Sequence, residues 1–548
     1  MMEKSNKPKR RTENWSYIKD NCIEINYKKI YKLNQIASFI WNLCDGYHTV
    51  EEIIRHIIQK CNLKDNAYNE VAGDVTETLL VWNYEGLLIC NYNPLHSLLE
   101  YQVTEYDIKA NSNKLLDLML IFPPTPTPMT YGAKINSMEP LGIAYITAYL
   151  QKNGLTNIEY YNWWTEQLNR PTIEKYLKLH KPKVIGISAM TDNFQNGMRI
   201  SQIAKELDPE VKIIVGGPHA TFEDENILKQ YLYIDYIVRG EGEITMLELM
   251  KYLLYGEGNI NQICGITYRY EDGIAKNSDR QLIENLDVLP FPKRNKLPLN
   301  SFVGIQTSRG CVGKCIFCCA SLLSGGKYRM RSAENVVDEI EVLYRNKVQS
   351  FFFQDDTVTV DIKRLNLIID LLHERKLDII WRAESRVDVL AKNLWIIDKM
   401  YDSGCSGLQF GIESGSQKML DALRKNIRIE DVLKVVRYTI KVGIPVTCSF
   451  LIGHPFETEN SIFETLEFAK YIAEMGASVG LSTVCPYPGT EIRRNSKEYG
   501  LVIKDTQFQD YTTLNAIMDT PYLTADKIRR LAYLCNKELF SIMDRRGN

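Results

Sequence analysis

Ser308-Arg309-Gly310-Cys311-Val312-Gly313-Lys314-Cys315-Ile316-Phe317-Cys318 carries three cysteines at Cys-x3-Cys-x2-Cys, directly after the apolar run Phe302-Val303-Gly304-Ile305. An apolar run that breaks into a glycine-bearing segment reads as a strand entering a tight loop. Thiolates are soft ligands, suited to iron–sulfur clusters or to zinc. Three on one short loop can hold three irons of a [4Fe–4S] cube and leave the fourth open to a substrate or cofactor. A zinc site would want a fourth Cys or His at set spacing, and Cys319, adjacent to Cys318, is badly placed to supply it. Three unrelated buried cysteines are the remaining alternative. Phe317 stands beside the third cysteine, where its ring would shield one face of a cluster.

This loop resembles the signature of the radical S-adenosylmethionine enzymes, down to the aromatic residue before the last cysteine. The resemblance implies that the amino and carboxylate groups of S-adenosylmethionine chelate the open iron, and that reductive cleavage then releases a 5′-deoxyadenosyl radical. An electron donor such as flavodoxin or ferredoxin is an expected partner.

Working outward, strands and helices alternate from 300 to 490 in about six βα units: 350–356, 379–386, 407–415, 446–453 and 478–484 follow the cysteine strand. That suits a partial (βα)6 barrel, whose chemistry belongs at the C-terminal strand ends. By resemblance, Gln354 and Asp355 lie near the methionine amino group, and Arg386 pairs with its carboxylate through the guanidinium fork. Glu413 reaches the ribose or the amino group, and Gly453 leaves room for adenine. Barrel-top ion pairs are the alternative role for the charged members of this set. A helical extension, 491–548, is expected to pack over the active-site mouth.

Upstream, 114–270 alternates in the same way, with strands at 115–122, 158–161, 184–188, 212–217 and 234–238. This pattern reads as a doubly wound parallel sheet with ligands at the carboxyl ends of the strands. A serine after the third strand (Ser188) and a glycine pair after the fourth (Gly216-Gly217) resemble the cobalamin-binding fold. The resemblance implies contacts from Leu141, Gly142, Ser188, Met190, Gly216, Gly217, Gly240 and Glu241. The family's Asp-x-His-x-x-Gly motif is missing, and no histidine falls between His96 and His180. Cobalamin is therefore expected without a protein histidine on cobalt. Trp163 and Trp164 either cover the lower cobalt face or belong to the core, and His219 reads as a structural hydrogen-bonding residue. A flavodoxin-like domain without cobalamin is the alternative.

Residues 20–95 combine an alternating strand at 22–27, three helical patterns and a closing strand at 87–90. A capping box, Thr49-Val50-Glu51-Glu52, opens the second helix. The order Leu33-Asn34, Ile40-Trp41, Asp45-Gly46, Thr49–Ile53, Asp74-Val75, Leu80 and Gly86-Leu87-Leu88 resembles the PqqD-like peptide-chaperone domain of pyrroloquinoline quinone biosynthesis. Relatives of that domain bind the leader of a precursor peptide as an added edge strand. A winged helix used for dimerisation or DNA contact is the alternative.

The 548 residues carry a net charge of −2 and no apolar run long enough for a membrane span, so a nucleic-acid partner and a membrane span are not expected. Thirteen cysteines, an odd number scattered singly apart from the loop, point to reduced cytoplasm. The expected α/β architecture is a basic tail (1–19), a winged-helix-like domain (20–95), a linker (96–113), a cobalamin-binding sheet (114–270) and a second linker (271–299). The radical S-adenosylmethionine partial barrel (300–490) and the small helical C-terminal extension (491–548) complete it. The resemblances imply cobalamin-dependent C-methylation of a ribosomally synthesised precursor peptide at an unactivated carbon, by way of methylcobalamin. Radical cyclisation or cross-linking of the peptide, a non-peptide substrate, and a leader-binding protein with an inactive barrel are the alternatives.

Overall fold

The computed structural model describes residues 115–547 except 126–138, 165–167, 272, 296–301 and 505. Before 115 it describes only 9–10, 15–17, 22–25, 29–32, 40, 43–44, 48–60, 71–72, 75, 79 and 88–89. The chain divides into two compact units, residues 1–109 with 126–128, and 110–125 with 129–548.

In the first unit, Trp15–Tyr17, Cys22–Ile25 and Lys29–Lys32 form an antiparallel meander. The helix Val50–Lys60 starts at the expected capping box: the Glu52 N–H donates to Thr49 Oγ1 at 3.2 Å, and the Thr49 N–H to Glu52 Oε2 at 2.7 Å. Its Ile53, Ile54 and Ile57 are buried at helical spacing. Lys9–Arg10 pairs antiparallel with Leu88–Ile89, so the stretch expected as a basic tail contributes strand residues. The motif residues Leu33, Asn34, Trp41, Asp45, Gly46, Asp74, Leu80, Gly86 and Leu87 lie outside the described residues.

The second unit holds two sheets. The first contains β1 (Leu118–Phe122), β2 (Ile158–Asn162), β3 (Val184–Ser188), β4 (Lys212–Gly216), β5 (Tyr236–Val238), β6 (Ile266–Tyr270) and β7 (Gly273–Lys276), in the order β7-β6-β5-β4-β3-β1-β2. Its parallel part, 2-1-3-4-5, is the flavodoxin-like doubly wound order, with the topological switch between β1 and β3. An antiparallel hairpin, β6–β7, closes the edge beside β5. The second half of that hairpin lies in the segment expected as linker.

The second sheet runs β8 (Val303–Ile305), β9 (Ser350–Phe353), β10 (Ile380–Ser385), β11 (Cys405–Glu413), β12 (Val446–Ile452) and β13 (Ser478–Thr483), all parallel and in sequence order. It does not close on itself. Alternate residues (Trp381, Ala383, Leu408, Phe410, Cys448, Phe450, Val479, Leu481) are buried against the surrounding helices. The opposite face presents Arg382, Glu384, Gln409, Gly411, Thr447, Ser449, Gly480 and Ser482, none of them fully buried. A packed barrel fills that face with branched apolar side chains. Here polar residues and glycines predominate, with Phe352, Ile380 and Leu451 among them, so the face is a partly open trough rather than a packed core.

The helix Ala525–Gly547, expected over the mouth, packs along β13 and the helix Glu459–Met475. Asn536 bonds both the N–H (3.1 Å) and the C=O (2.7 Å) of Leu481 in the edge strand.

Candidate active site

The cysteine loop leaves β8 through Ser308–Arg309, which pairs antiparallel with Arg329–Met330 and so ties the loop's two ends together. Gly310 turns the chain at φ +95°, and a Cβ there would lie 2.2 Å from the Lys327 carbonyl oxygen, so only glycine fits. Asp355, expected at S-adenosylmethionine, has another task. Its carboxylate accepts the Thr307 N–H (2.6 Å), the Ser308 N–H (3.1 Å), the Ser308 hydroxyl (2.7 Å) and the Thr307 hydroxyl. With its oxygens so engaged, Asp355 anchors the residues that lead into the loop.

Cys311, Cys315 and Cys318 are all free thiols. Cys311 Sγ accepts the Gly313 N–H and Cys318 Sγ the Ala320 N–H, each at 3.4 Å. A Cβ on Gly313 would come within 3.4 Å of Cys311 Sγ, 3.7 Å of Cys315 Sγ and 3.2 Å of Arg386 Nη1, so these three groups crowd one point. Partial burial raises the Cys315 thiol, where Lys425 and Arg386 oppose the shift, while Cys318 is exposed. Among the described residues, no three His, Cys, Asp or Glu side chains are arranged to hold one metal ion. Phe317 packs its ring 5.6 Å from that of His454.

Around the loop stand the strand-end charges. Arg386 binds Asp388 through Nε (2.9 Å) and Nη2 (3.1 Å), with Nη1 turned toward Gly313. Glu413 sits in the left-handed region (φ +73°), costly for a non-glycine residue, and pairs with Lys425 at 2.7 Å. Gln354 lies against Gly304, whose added Cβ would be 2.8 Å from Gln354 Cδ. Burial, then Asp356 and Glu413, push Glu384 up to about 7. Glu384, Asp356 and Lys425 were not among the expected site residues. Glu384 was discoverable, since it alternates with the core residues Ala383 and Ser385 and so faces the trough.

Gly453 takes φ +91°, and the space beside its Cα is filled: an added Cβ would be 3.0 Å from Ile528 Cγ2 of the C-terminal helix. The room expected there for adenine is therefore occupied on that side. Glu457 Oε2 accepts the N–H groups of Gly453 (2.6 Å) and His454 (3.1 Å), fixing the turn. Burial pushes Glu457 up to about 7 and His454 down to about 3.

Gly142, in the first turn of the helix Leu141–Lys152, and Gly240, past the end of β5, border open space, with nothing within 4 Å of an added Cβ, and Met190 is 44 % exposed. Ser188 pairs in register with Gly216. Gly217 (φ +94°) presses on the Ala189 backbone, where a Cβ would lie 2.6 Å from the carbonyl oxygen. Two expected cobalamin contacts are committed elsewhere. Leu141 is buried with Tyr145, Ile283, Leu286 and Leu289. Glu241 accepts from Arg309 (2.8 Å), Arg329 (3.0 Å) and the Ile283 N–H (2.8 Å). Trp163 is core, packed on Tyr161 and Tyr176. His219 is buried between Phe194 and Phe508, with Nδ1 3.2 Å from Thr191 Oγ1.

Three family models match the chain: the B12 binding domain over residues 135–250, the Radical SAM superfamily over 305–469, and Coenzyme PQQ synthesis protein D (PqqD) over 22–88. An uncharacterized methyltransferase of Pyrococcus horikoshii, PH0819, is 31% identical over 426 residues, covering 76% of this chain and 91% of that protein. The chain belongs to the cobalamin-dependent radical S-adenosylmethionine methyltransferase family. The anaerobic magnesium-protoporphyrin IX monomethyl ester cyclase of Rubrivivax gelatinosus is 29% identical over 400 residues, 71% of each chain. The fold matches that of TsrM, a radical S-adenosylmethionine methyltransferase from Kitasatospora setae solved with cobalamin and a [4Fe-4S] cluster. The TM-score is 0.59 at 17% identity, covering 76% of this chain and 82% of that one.

The family's cofactors are a [4Fe–4S] cluster, S-adenosylmethionine and cobalamin. The residues present fit them. Three unbridged thiols share one loop with Arg386 and Lys425 alongside. Two glycines leave open space past the strand ends, where a doubly wound sheet takes its ligand. Among the described residues, no helix is long and apolar enough to cross a membrane.

Proposed function

We propose that the protein C-methylates a ribosomally made precursor peptide at an unactivated carbon. The observation that carries this reading is the PqqD match at 22–88 on the same chain as the two cofactor domains. The bound cofactors supply a hydrogen-abstracting radical and a transferable methyl group. Cys311, Cys315 and Cys318 would hold the cluster, Phe317 flanks it, and Arg386, held by Asp388 with Nη1 turned toward Gly313, would meet the carboxylate of S-adenosylmethionine through Nη1. Gln354 and the Glu413–Lys425 pair line the same mouth. Gly142, Ser188, Met190, Gly216 and Gly240 would hold cobalamin, and the buried His219 ring, packed between Phe194 and Phe508, is not placed to serve it. The N-terminal unit takes the peptide's leader as an added strand. A low-potential carrier such as flavodoxin or ferredoxin donates the electron. Thr447 and the Gln409–Ser449 pair give the trough polar groups that a peptide backbone could meet.

The cyclase relative favours a second reading, ring closure or cross-linking of the peptide without methyl transfer. Anaerobic incubation of the reconstituted enzyme with its precursor peptide, S-adenosylmethionine and a reductant separates the two by mass. Gain of a methyl group supports methylation. Loss of two hydrogens supports cyclisation, and deoxyadenosine with unaltered peptide removes both.

A further inference from the structure

Four arginines and four glutamates form two buried clusters, joined through Tyr145, along the seam between the two sheets of the second unit. Arg309 directs Nη1 to Glu241 (2.8 Å), Nη2 to Glu243 (2.6 Å) and Nε to Gln306 (3.0 Å). Arg329, its cross-strand partner, joins the same Glu241 (2.9 Å). Arg331 binds Glu339 (2.5 Å) and Tyr145 Oη (3.2 Å), and Arg294 spans Glu339 (2.7 Å) and Glu139. None of the eight side chains is more than 16% exposed.

The placement of these charges is specific. Arg309 stands two residues before Cys311, and Arg309 and Arg329 close the base of the cysteine loop. Glu241 directly follows Gly240, and Glu139 lies three residues before Gly142. One carboxylate thus grips both ends of the cysteine loop from the end of β5. A second chain grips the flanking Arg331 from the start of the helix Leu141–Lys152. Buried ion pairs are a poor way to gain stability, because desolvation offsets most of the attraction; fixing register is the best-attested use of retaining them.

We propose that this network sets the cysteine loop against the cobalamin edge, making Arg309 and Glu241 positioning residues that couple occupancy of one cofactor site to the order of the other. The inference rests on the proposed placement of cobalamin beside Gly142 and Gly240, and not on the identity of the substrate.

Hydrogen–deuterium exchange of the full-length, cluster-loaded protein, with and without hydroxocobalamin, tests it. In the wild type, cobalamin is expected to slow exchange both at 240–255, where it binds, and at 308–330. Couplings of this kind are about fivefold or more. In Glu241→Gln the protection at 240–255 should persist while that at 308–330 disappears. Glu243→Gln, which removes one arm of Arg309, should lose part of it and serves if the first variant fails to fold. The expected companion readout is more deoxyadenosine formed per product, with iron and cobalamin contents unchanged. Equal protection at 308–330 in wild type and both variants would show the network to be mere adhesive and overturn the proposal. No protection at 240–255 in the wild type would instead overturn the placement of cobalamin.

Discussion

Glu457 shows how one buried acid can shape the protein's response to pH. Its carboxyl is pushed up to about 7 by burial, while an unfolded chain returns it to the ordinary value of 4.5. The folded state therefore holds a proton that the unfolded state releases. That contribution is complete below about pH 4.5 and is lost as pH rises through about 7. Glu457→Gln keeps an oxygen for the Gly453 and His454 N–H groups and abolishes the titration. Thermal melts of the apoprotein at pH 5.5 and 8.5 should show the variant gaining on wild type at the higher pH, by on the order of 1–3 kcal/mol. An unchanged difference would mean that Glu457 is ionised throughout. The same residue scale shows what spacing can and cannot reveal. Cys-x3-Cys-x2-Cys reads as a soft-ligand loop from spacing alone. Asp355 and Glu241 also stand at strand ends, and their chemistry suited a ligand. Their partners, Thr307–Ser308 and Arg309–Arg329, come from 47 or more residues away, so pairing with protein was invisible along the chain.

At the scale of elements, the cysteine loop depends on a left-handed turn. Gly310→Ala must both adopt φ near +95° and clear the Lys327 carbonyl, so the loop base has to open. Iron content after reconstitution should fall severely. Gly240→Ala, in the left-handed region (φ +66°) but with open space around it, should cost only about 1–2 kcal/mol and retain iron. Equal iron in both would show that the loop tolerates the shift. Most strands were legible because buried parallel strands read as short apolar runs between glycine and proline punctuation. The hairpin β6–β7 was not, because two short strands at a sheet edge carry little pattern, and β7 is only partly buried. The polarity of the trough was present in the alternation Trp381-Arg382-Ala383-Glu384. Its meaning needed the helices to show which face was core.

At the scale of the molecule, the two units predict separable tasks. A chain lacking residues 1–109 should retain cluster, cobalamin and cleavage of S-adenosylmethionine, while binding of a leader peptide falls by at least about a hundredfold. Calorimetry with the precursor peptide measures the loss, and undiminished affinity would place recognition in the second unit. Domain order was legible because each module carries its own short signature. The path of the C-terminal helix was not, since an amphipathic helix states that it has an apolar face and not which surface will cover it.

Asn536 carries that path into the protein's behaviour in solution. An open parallel sheet ends in strands whose backbone groups can recruit another chain, a hazard that closed barrels avoid. Here one amide side chain satisfies the Leu481 N–H and C=O at the β13 edge. Asn536→Leu would preserve the helix's apolar contact and leave the Leu481 N–H and C=O without their side-chain partner. The variant is expected to remain active when dilute but to self-associate as concentration rises, which light scattering across a dilution series would detect. A variant that stays monodisperse would show that the helix alone shields the strand. Asn536 on Leu481, the Thr513 carbonyl on the Thr483 N–H and Met543 Sδ on the Val479 N–H thus divide between them the backbone groups that would otherwise offer a neighbour a template.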